Sequence, residues 1–294
     1  MQAACTDAVL ARERKRLVTA VEQAGIAADG ARWLARAERA TLEALAARGA
    51  STGAQLSKVV PELQAKVSYG EGRWAGPVGV AGRVFTILAA SGRIVRGRPS
   101  GSWTSSQHRW TPASPFGSKV PETDAQIELV RRWLTAFGPA AMADLTWWTG
   151  LGVTKIRAAT AALGVVDVDM EGEPGVMLRD DVGPVPPVAP WAAFLPSLDP
   201  TTMGWKRRDW YLGGHAAALF DSSGNAGPTV WWNGLVVGGW SQRPSGEVVY
   251  RLLEDVGVDA AAAIENQAAR LQDWVGGTVV TARFPTALDR ELRG

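Results

Sequence analysis

The strongest constraint in this sequence is an order of elements that occurs twice. Between Asp29 and Ala47 the apolar residues Leu34, Ala37, Leu42 and Leu45 fall on one helical stripe. Ser51–Val59 predicts a second, short helix after a glycine-containing turn, and Val78–Ala90 a third, stopped by Gly92. Gly92–Arg96 and Ser102–Trp110 then flank the turn Pro99-Ser100-Gly101 as two strands of a hairpin. The order begins again at Thr123, which stands three residues before Gln126 in the spacing of a capping box. Ile127, Val130, Leu134 and Phe137 mark one face of that helix before the Gly138-Pro139 stop. Met142–Trp148 and Val153–Leu163 supply two more helices, the last ending at Gly164. Val165–Met170 and Val176–Arg179 predict a hairpin across residues 171–175. Helix, helix, helix, hairpin is the order of a winged helix-turn-helix, so two tandem units are expected. The recurrence is architectural, without a residue-for-residue repeat.

After a proline-rich hinge at residues 183–190 the texture changes to short apolar runs broken by Gly, Asn and Pro. Thr229–Trp232 and Leu235–Val237 are joined by Asn233-Gly234, a strong two-residue hairpin signal, and Val248–Leu252 and Thr278–Phe284 read as further strands. One helix is inserted, with Asp259 as its cap, Ile264, Leu271 and Val275 as its inner face, and Gly276-Gly277 as its stop. The expected fold class is α+β: tandem winged units followed by a C-terminal β-barrel-like domain. The expected division is a helical leader over 1–28, winged units over 29–115 and 116–182, and a β-rich domain over 183–294.

Composition bounds the function classes. The 294 residues are 46% hydrophobic with one cysteine, enough for a large core in two or more domains and incompatible with disorder, a collagen or a disulfide scaffold. Charged residues from Asp7 to Arg16 interrupt any secretory core segment, so a cytoplasmic location is expected. The uncharged stretch Ser222–Gln242 carries six Gly or Pro residues and suits turns and strands rather than a membrane span. Cys5 stands alone and His108 and His215 lie far apart, which makes a metal site a poor expectation.

A formal net charge of +2 decides nothing about nucleic acid; the placement of charge does. Between Glu71 and Glu122 lie Arg73, Arg83, Arg93, Arg96, Arg98, Arg109 and Lys119, and no acid. This run coincides with the third helix and hairpin of the first unit, where a wing can lie along a phosphate backbone. The alternative is an ordinary solvated face in a chain whose 31 cations include 25 arginines. The third helix exposes few base-reading side chains beyond Arg83 and Thr86, and Lys155 and Arg157 in the second unit equally suit solvent. In Trp205-Lys206-Arg207-Arg208-Asp209-Trp210-Tyr211 three cations sit among aromatics. That composition suits phosphate contact with base stacking, or equally a segment whose tryptophans enter a core.

Several segments together carry a family resemblance. They are Trp147-Trp148-Thr149-Gly150-Leu151, the run from Phe194 to Lys206, Gly227–Gly234, Val237–Trp240 and Arg283–Thr286. With the two winged units, the chain resembles, over nearly its whole length, the winged-helix DNA-binding domain proteins related to the AlkZ and YcaQ DNA glycosylases. The resemblance implies three tandem winged helices and a β-barrel around double-stranded DNA, and removal of alkylated bases or unhooking of interstrand crosslinks. It implies no metal or organic cofactor. The expected partner is duplex DNA, with no membrane, and the expected state a monomer. Candidate DNA-binding residues are Arg83, Arg93, Arg96, Arg98, His108, Arg109, Lys206, Arg207 and Arg208.

Members of that family place a Gln-x-Gln or Gln-x-Asp motif in the first winged unit, and neither motif occurs in this sequence. Residues 1–28 are accordingly expected to be the remnant of a first unit. N-glycosidic cleavage passes through an oxocarbenium-like state and needs a group that positions water. Asp199, Asp209, Gln107 and His108 are chemically able substitutes, though each also reads as a turn, ion-pair or surface residue. The expected function is a DNA glycosylase-like binding protein with little catalysis, and the alternatives are a non-catalytic DNA-binding protein or a transcription regulator.

Overall fold

The computed structural model describes residues 2–69, 76–114, 120–282 and 284–294. The chain divides into two compact units, residues 1–128 and 129–294.

The first unit opens with helices α1 (Gln2–Gln23) and α2 (Gly30–Arg48), then β1 (Ser51–Thr52) and α3 (Gly53–Val59). Next come β2 (Lys66–Tyr69), β3 (Gly76–Gly79), α4 (Ala81–Ala90), β4 (Ile94–Pro99) and β5 (His108–Pro112). Local chemistry sets the helix starts. The Asp29 side chain accepts the Arg32 N–H at 2.8 Å, and Thr52 and Gln55 cap α3 reciprocally, at 3.2 and 2.8 Å. One core collects Leu17 and Val21, Trp33, Leu34 and Leu45, Leu56, then Val84, Phe85 and Leu88, and Ile94. The expected third helix is shorter than the sequence implied. Val78 pairs with Val67 in a β2–β3 hairpin, because Pro77 and Gly79 beside it disfavour helix and suit extended chain.

Helix α5 (Glu122–Phe137) follows, with Val130, Trp133 and Leu134 buried. Thr123 does not cap it. The helix has already begun at Glu122, where the Pro121 carbonyl accepts the Ala125 N–H and Glu122 and Asp124 place negative charge on the first turn. Beyond Gly138-Pro139 lie α6 (Met142–Thr149), α7 (Val153–Leu163), β6 (Val166–Met170) and β7 (Glu173–Met177). The β6–β7 turn is tighter than expected. It consists of Glu171 and Gly172 alone, both at positive φ (55° and 90°), as a two-residue hairpin turn demands.

The two segments share a detail that element order alone does not specify. In the first, β1 lies between two helices and pairs antiparallel with β5, the second hairpin strand. In the second, Ala140 lies between α5 and α6 and bridges to Val176 in β7, with N–H to carbonyl distances of 3.0 and 2.9 Å.

The remaining strands form an open sheet and not the expected barrel. Strand β8 (Ala192–Leu195) is followed by the short helices α8 (Asp209–Leu212) and α9 (Ala216–Leu219). Strands β9 (Thr229–Trp232), β10 (Leu235–Gln242) and β11 (Val248–Leu252) complete a sheet in the order β11-β10-β9-β8. Two further helices follow, α10 (Val258–Val275) and α11 (Ala287–Arg293). Each face of the sheet is covered, so closure is not needed to bury it. Ile264 of α10 packs with Val230 and Val237, while Tyr211, Leu212, Leu219 and Leu288 pack with Trp231 and Val236. Residues 278–282, expected as a strand, carry no regular structure, and Arg283 lies outside the described residues. Asp259 sits in the first turn of α10, with Gly257 at the cap position. Gly238 is required where β10 meets β11, since a Cβ there would collide with the Arg251 carbonyl.

Residues 183–190 form no helix or strand and are exposed throughout. Limited proteolysis should therefore cut first within 183–190, detected as two fragments by mass spectrometry, and cutting elsewhere first would show this segment to be protected.

Candidate nucleic-acid interface

The first unit presents its charge on the β4–β5 hairpin. Arg96 pairs across from Trp110 and Pro99 from His108, so a β-bulge sets Gly97 and Arg98 together against Arg109. A Cβ at Gly97 would stand 3.3 Å from the Arg109 carbonyl, which explains the glycine. Arg96 and Arg98 are exposed, and neither has an ion pair or hydrogen bond among the described residues. Arg109 is exposed and donates from Nε to the Ser100 hydroxyl at 3.2 Å. The hairpin therefore exposes three guanidiniums, two without an internal partner among the described residues and one held by a neutral hydroxyl.

The other candidates in this unit are placed differently. Arg83 on α4 is half-buried and pairs with Glu13 at 2.9 Å. Arg93 lies 3.3 Å from Glu38, a buried carboxylate that Arg14 also approaches to 2.7 Å. Arg83 therefore ties α4 to α1, and Arg93 ties the turn before β4 to α2. His108 is half-buried, and its Nδ1 is enclosed without a partner. Gln107 is an exposed loop residue whose N–H donates to Ser105. Arg73 and Lys119 lie outside the described residues.

In the second unit the three consecutive cations part company. Lys206 is exposed, Arg207 pairs with Glu173 at 2.6 Å, and the Arg208 guanidinium lies over the Phe220 and Trp147 rings, 4.6 and 5.3 Å from their centroids. Hydrogen bonding to Glu173 raises the Arg207 pKa above its ordinary value. The aromatics split as well. Trp205 donates its indole N–H to the Phe137 carbonyl at 3.0 Å, whereas Trp210 is 59% exposed. Tyr211 beneath them donates its hydroxyl to the Thr202 carbonyl, and burial pushes its pKa up to about 12.

These side chains border a cleft of about 670 Å³ lined by Phe137, Trp205 and Trp210, by five carboxylates (Asp144, Asp169, Glu171, Glu173, Asp209) and by one guanidinium, Arg207. Such a lining repels phosphate. Asp209 stands exposed at its edge, while Asp199 accepts the Thr201 N–H at 2.8 Å in a local turn and is not part of it. The residue that sequence reasoning missed is Asp144. It is 3% exposed, its Oδ2 accepts the Ala141 N–H at 3.2 Å, and its Oδ1 accepts those of Lys206 and Arg207 at 2.8 and 3.1 Å. Only its place three residues into a helix hinted at a cap. The Phe194–Lys206 run also holds Leu198 at φ 60°, a conformation costly for a leucine, with its N–H donating to Ala226.

A family model described as DNA glycosylase AlkZ-like matches residues 1–274. The chain belongs to that family. Among solved structures, Streptomyces sahachiroi DNA glycosylase AlkZ shares the fold with a TM-score of 0.62 at 19% identity, over 85% of this chain and 68% of that one. No curated protein matches the chain. No described helix is long and apolar enough to cross a membrane, and no three His, Cys, Asp or Glu side chains among the described residues could together hold a metal ion.

Replacing Asp144 with Ala leaves three main-chain N–H groups without their acceptor and should lower stability by about 2–4 kcal/mol in urea unfolding. An unchanged midpoint would mean that water substitutes freely for the carboxylate.

Proposed function

We propose that this chain is a DNA glycosylase-like protein with two tandem winged-helix units that binds double-stranded DNA chiefly through the first, with the β4–β5 hairpin as the wing that lies along the phosphate backbone. The observation that carries the reading is the set Arg96, Arg98 and Arg109, exposed on a bulged hairpin within a fifty-residue run that has no acid. Exposed guanidiniums release counterions from phosphate without first breaking internal pairs. Family membership supports DNA repair as the setting, with alkylated or crosslinked duplex as the substrate class. A monomer acting in the cytoplasm completes the proposal.

The first four cations of the candidate set divide into two roles. Arg96 and Arg98 contact phosphate, and Arg83 and Arg93 shape the unit that presents them. Lys206 is the member of the second group best placed for backbone contact, with Arg207 and Arg208 already engaged. The domain division at residues 28, 115 and 182 remains part of this reading.

A sequence-specific regulator is disfavoured by α4 itself. Its fully exposed positions are Gly82 and Thr86, and the Thr86 hydroxyl donates to the Gly82 carbonyl at 2.8 Å, so the helix offers almost nothing to base edges. The β6–β7 hairpin carries Asp167, Asp169, Glu171 and Glu173, all exposed, and cannot serve as a second phosphate-binding wing.

Measured by fluorescence anisotropy on a duplex, Arg96→Ala with Arg98→Ala should weaken binding and reduce the slope of log K against log salt by about 2. An unchanged slope in the folded double variant would sink the wing assignment.

Base release by these 294 residues should stay near background on alkylated duplex at saturating protein, because they contain no Gln-x-Gln or Gln-x-Asp and water attack depends on a few positioned atoms. Robust turnover would overturn that part, and its loss in Asp209→Asn or Asp199→Asn would move catalysis to the second unit.

A further inference from the structure

The loop at the end of the β4–β5 hairpin, residues 100–107, is built in an unusual way. It is braced by its own polar groups. The Ser100 N–H donates to the Gln107 carbonyl at 2.6 Å, the Ser105 N–H to the Ser102 carbonyl at 3.1 Å and the Gln107 N–H to the Ser105 hydroxyl at 3.2 Å. The Ser102 and Thr104 hydroxyls lie 2.7 Å apart. Its members from Ser100 to Ser106 are Ser, Gly, Ser, Trp, Thr, Ser and Ser, so one large side chain, Trp103, stands among small ones, and it is 60% exposed.

We infer that Trp103 is a wedge that enters the base stack of DNA where a base is missing or unstacked. The inference rests on the reading of this hairpin as the DNA-binding wing and names what its tip does. Three features point the same way. A braced loop leaves little main-chain ordering to offset on binding, and its indole is already 60% exposed. A tip of serine, glycine and threonine is slender enough to follow a groove about 6 Å wide, and the ring is then the only group that reaches the bases. Arg98 is five residues away, a span of at most about 18 Å, so guanidiniums can hold the backbone while the indole reaches inward. An indole stacks on any base face, so such a wedge reads the gap and not the sequence.

The test compares two duplexes of one sequence, fully paired and with a single abasic-site analogue, by anisotropy with the full chain. The wild type should prefer the abasic duplex by about 5- to 100-fold, the range stacking on one base allows. Trp103→Ala should erase that preference while its affinity for paired duplex and its salt slope stay unchanged, and Trp103→Phe should restore most of it. A preference that survives in Trp103→Ala, a wild type without preference, or an equal loss on both duplexes would overturn the wedge and leave the wing assignment standing. A wild type that binds neither duplex would overturn the wing assignment and the wedge with it.

Discussion

The carboxylate of Asp144 accepts three main-chain N–H groups from two distant stretches of the second unit, and the shape of the aromatic cleft follows from it. An aspartate at the third position of a helix ordinarily reaches back to one N–H at the cap, as Asp144 does with Ala141. Its other oxygen is spent on the N–H groups of Lys206 and Arg207, more than sixty residues later. Those two bonds fix the chain between Trp205 and Arg208. Trp205 is then held against Phe137, Trp210 and Tyr211, with ring centroids 5.1–5.6 Å away, and the next two side chains go to opposite tasks. Arg207 points to Glu173 and Arg208 to Phe220 and Trp147. A run that looks like one basic patch in sequence is thereby divided by its backbone into three separate environments.

The same architecture carries opposite charge in its two hairpins. Both receive a third strand segment from the stretch between two helices, β1 in one case and Ala140 in the other. Yet β4–β5 displays arginines, while β6–β7 displays four acids over residues 167–173. Topology therefore does not fix the charge a hairpin presents; the residues at its exposed positions do. Three of those four acids, Asp169, Glu171 and Glu173, line the cleft instead, where Glu173 neutralises Arg207.

Much of the fold was legible because its signals are local. The Asn233-Gly234 turn and the stop at Gly164 each act through bonds or dihedrals within a few residues, and the structure honours both. The misreadings arose where a local signal met a stronger neighbour. Val78 looks helical by its apolar company, but Pro77 and Gly79 deliver it to a strand. Thr123 has capping spacing, but Pro121 begins the helix earlier. The barrel was expected from the family resemblance, and whether a sheet closes depends on helices that cover its faces, which no single strand reveals. Asp144 was invisible for the same reason, since two of its three partners lie far along the chain.

Charge legibility has a further limit, visible in the arginines of the acid-free run. Arg83 and Arg93 are no different from Arg96 and Arg98 in sequence, yet Glu13 and Glu38, both outside the run, bind the first pair. A segment without acids is thus not a segment without counter-charges, because packing α1 and α2 beside it imports carboxylates. What protects Arg96 and Arg98 from the same fate is position. They lie on β4, the edge strand of the β1-β5-β4 sheet, and neither hairpin strand carries an acid. An arginine kept unpaired on such an edge retains its affinity for an external anion, whereas one already paired with a carboxylate has spent it on an internal contact.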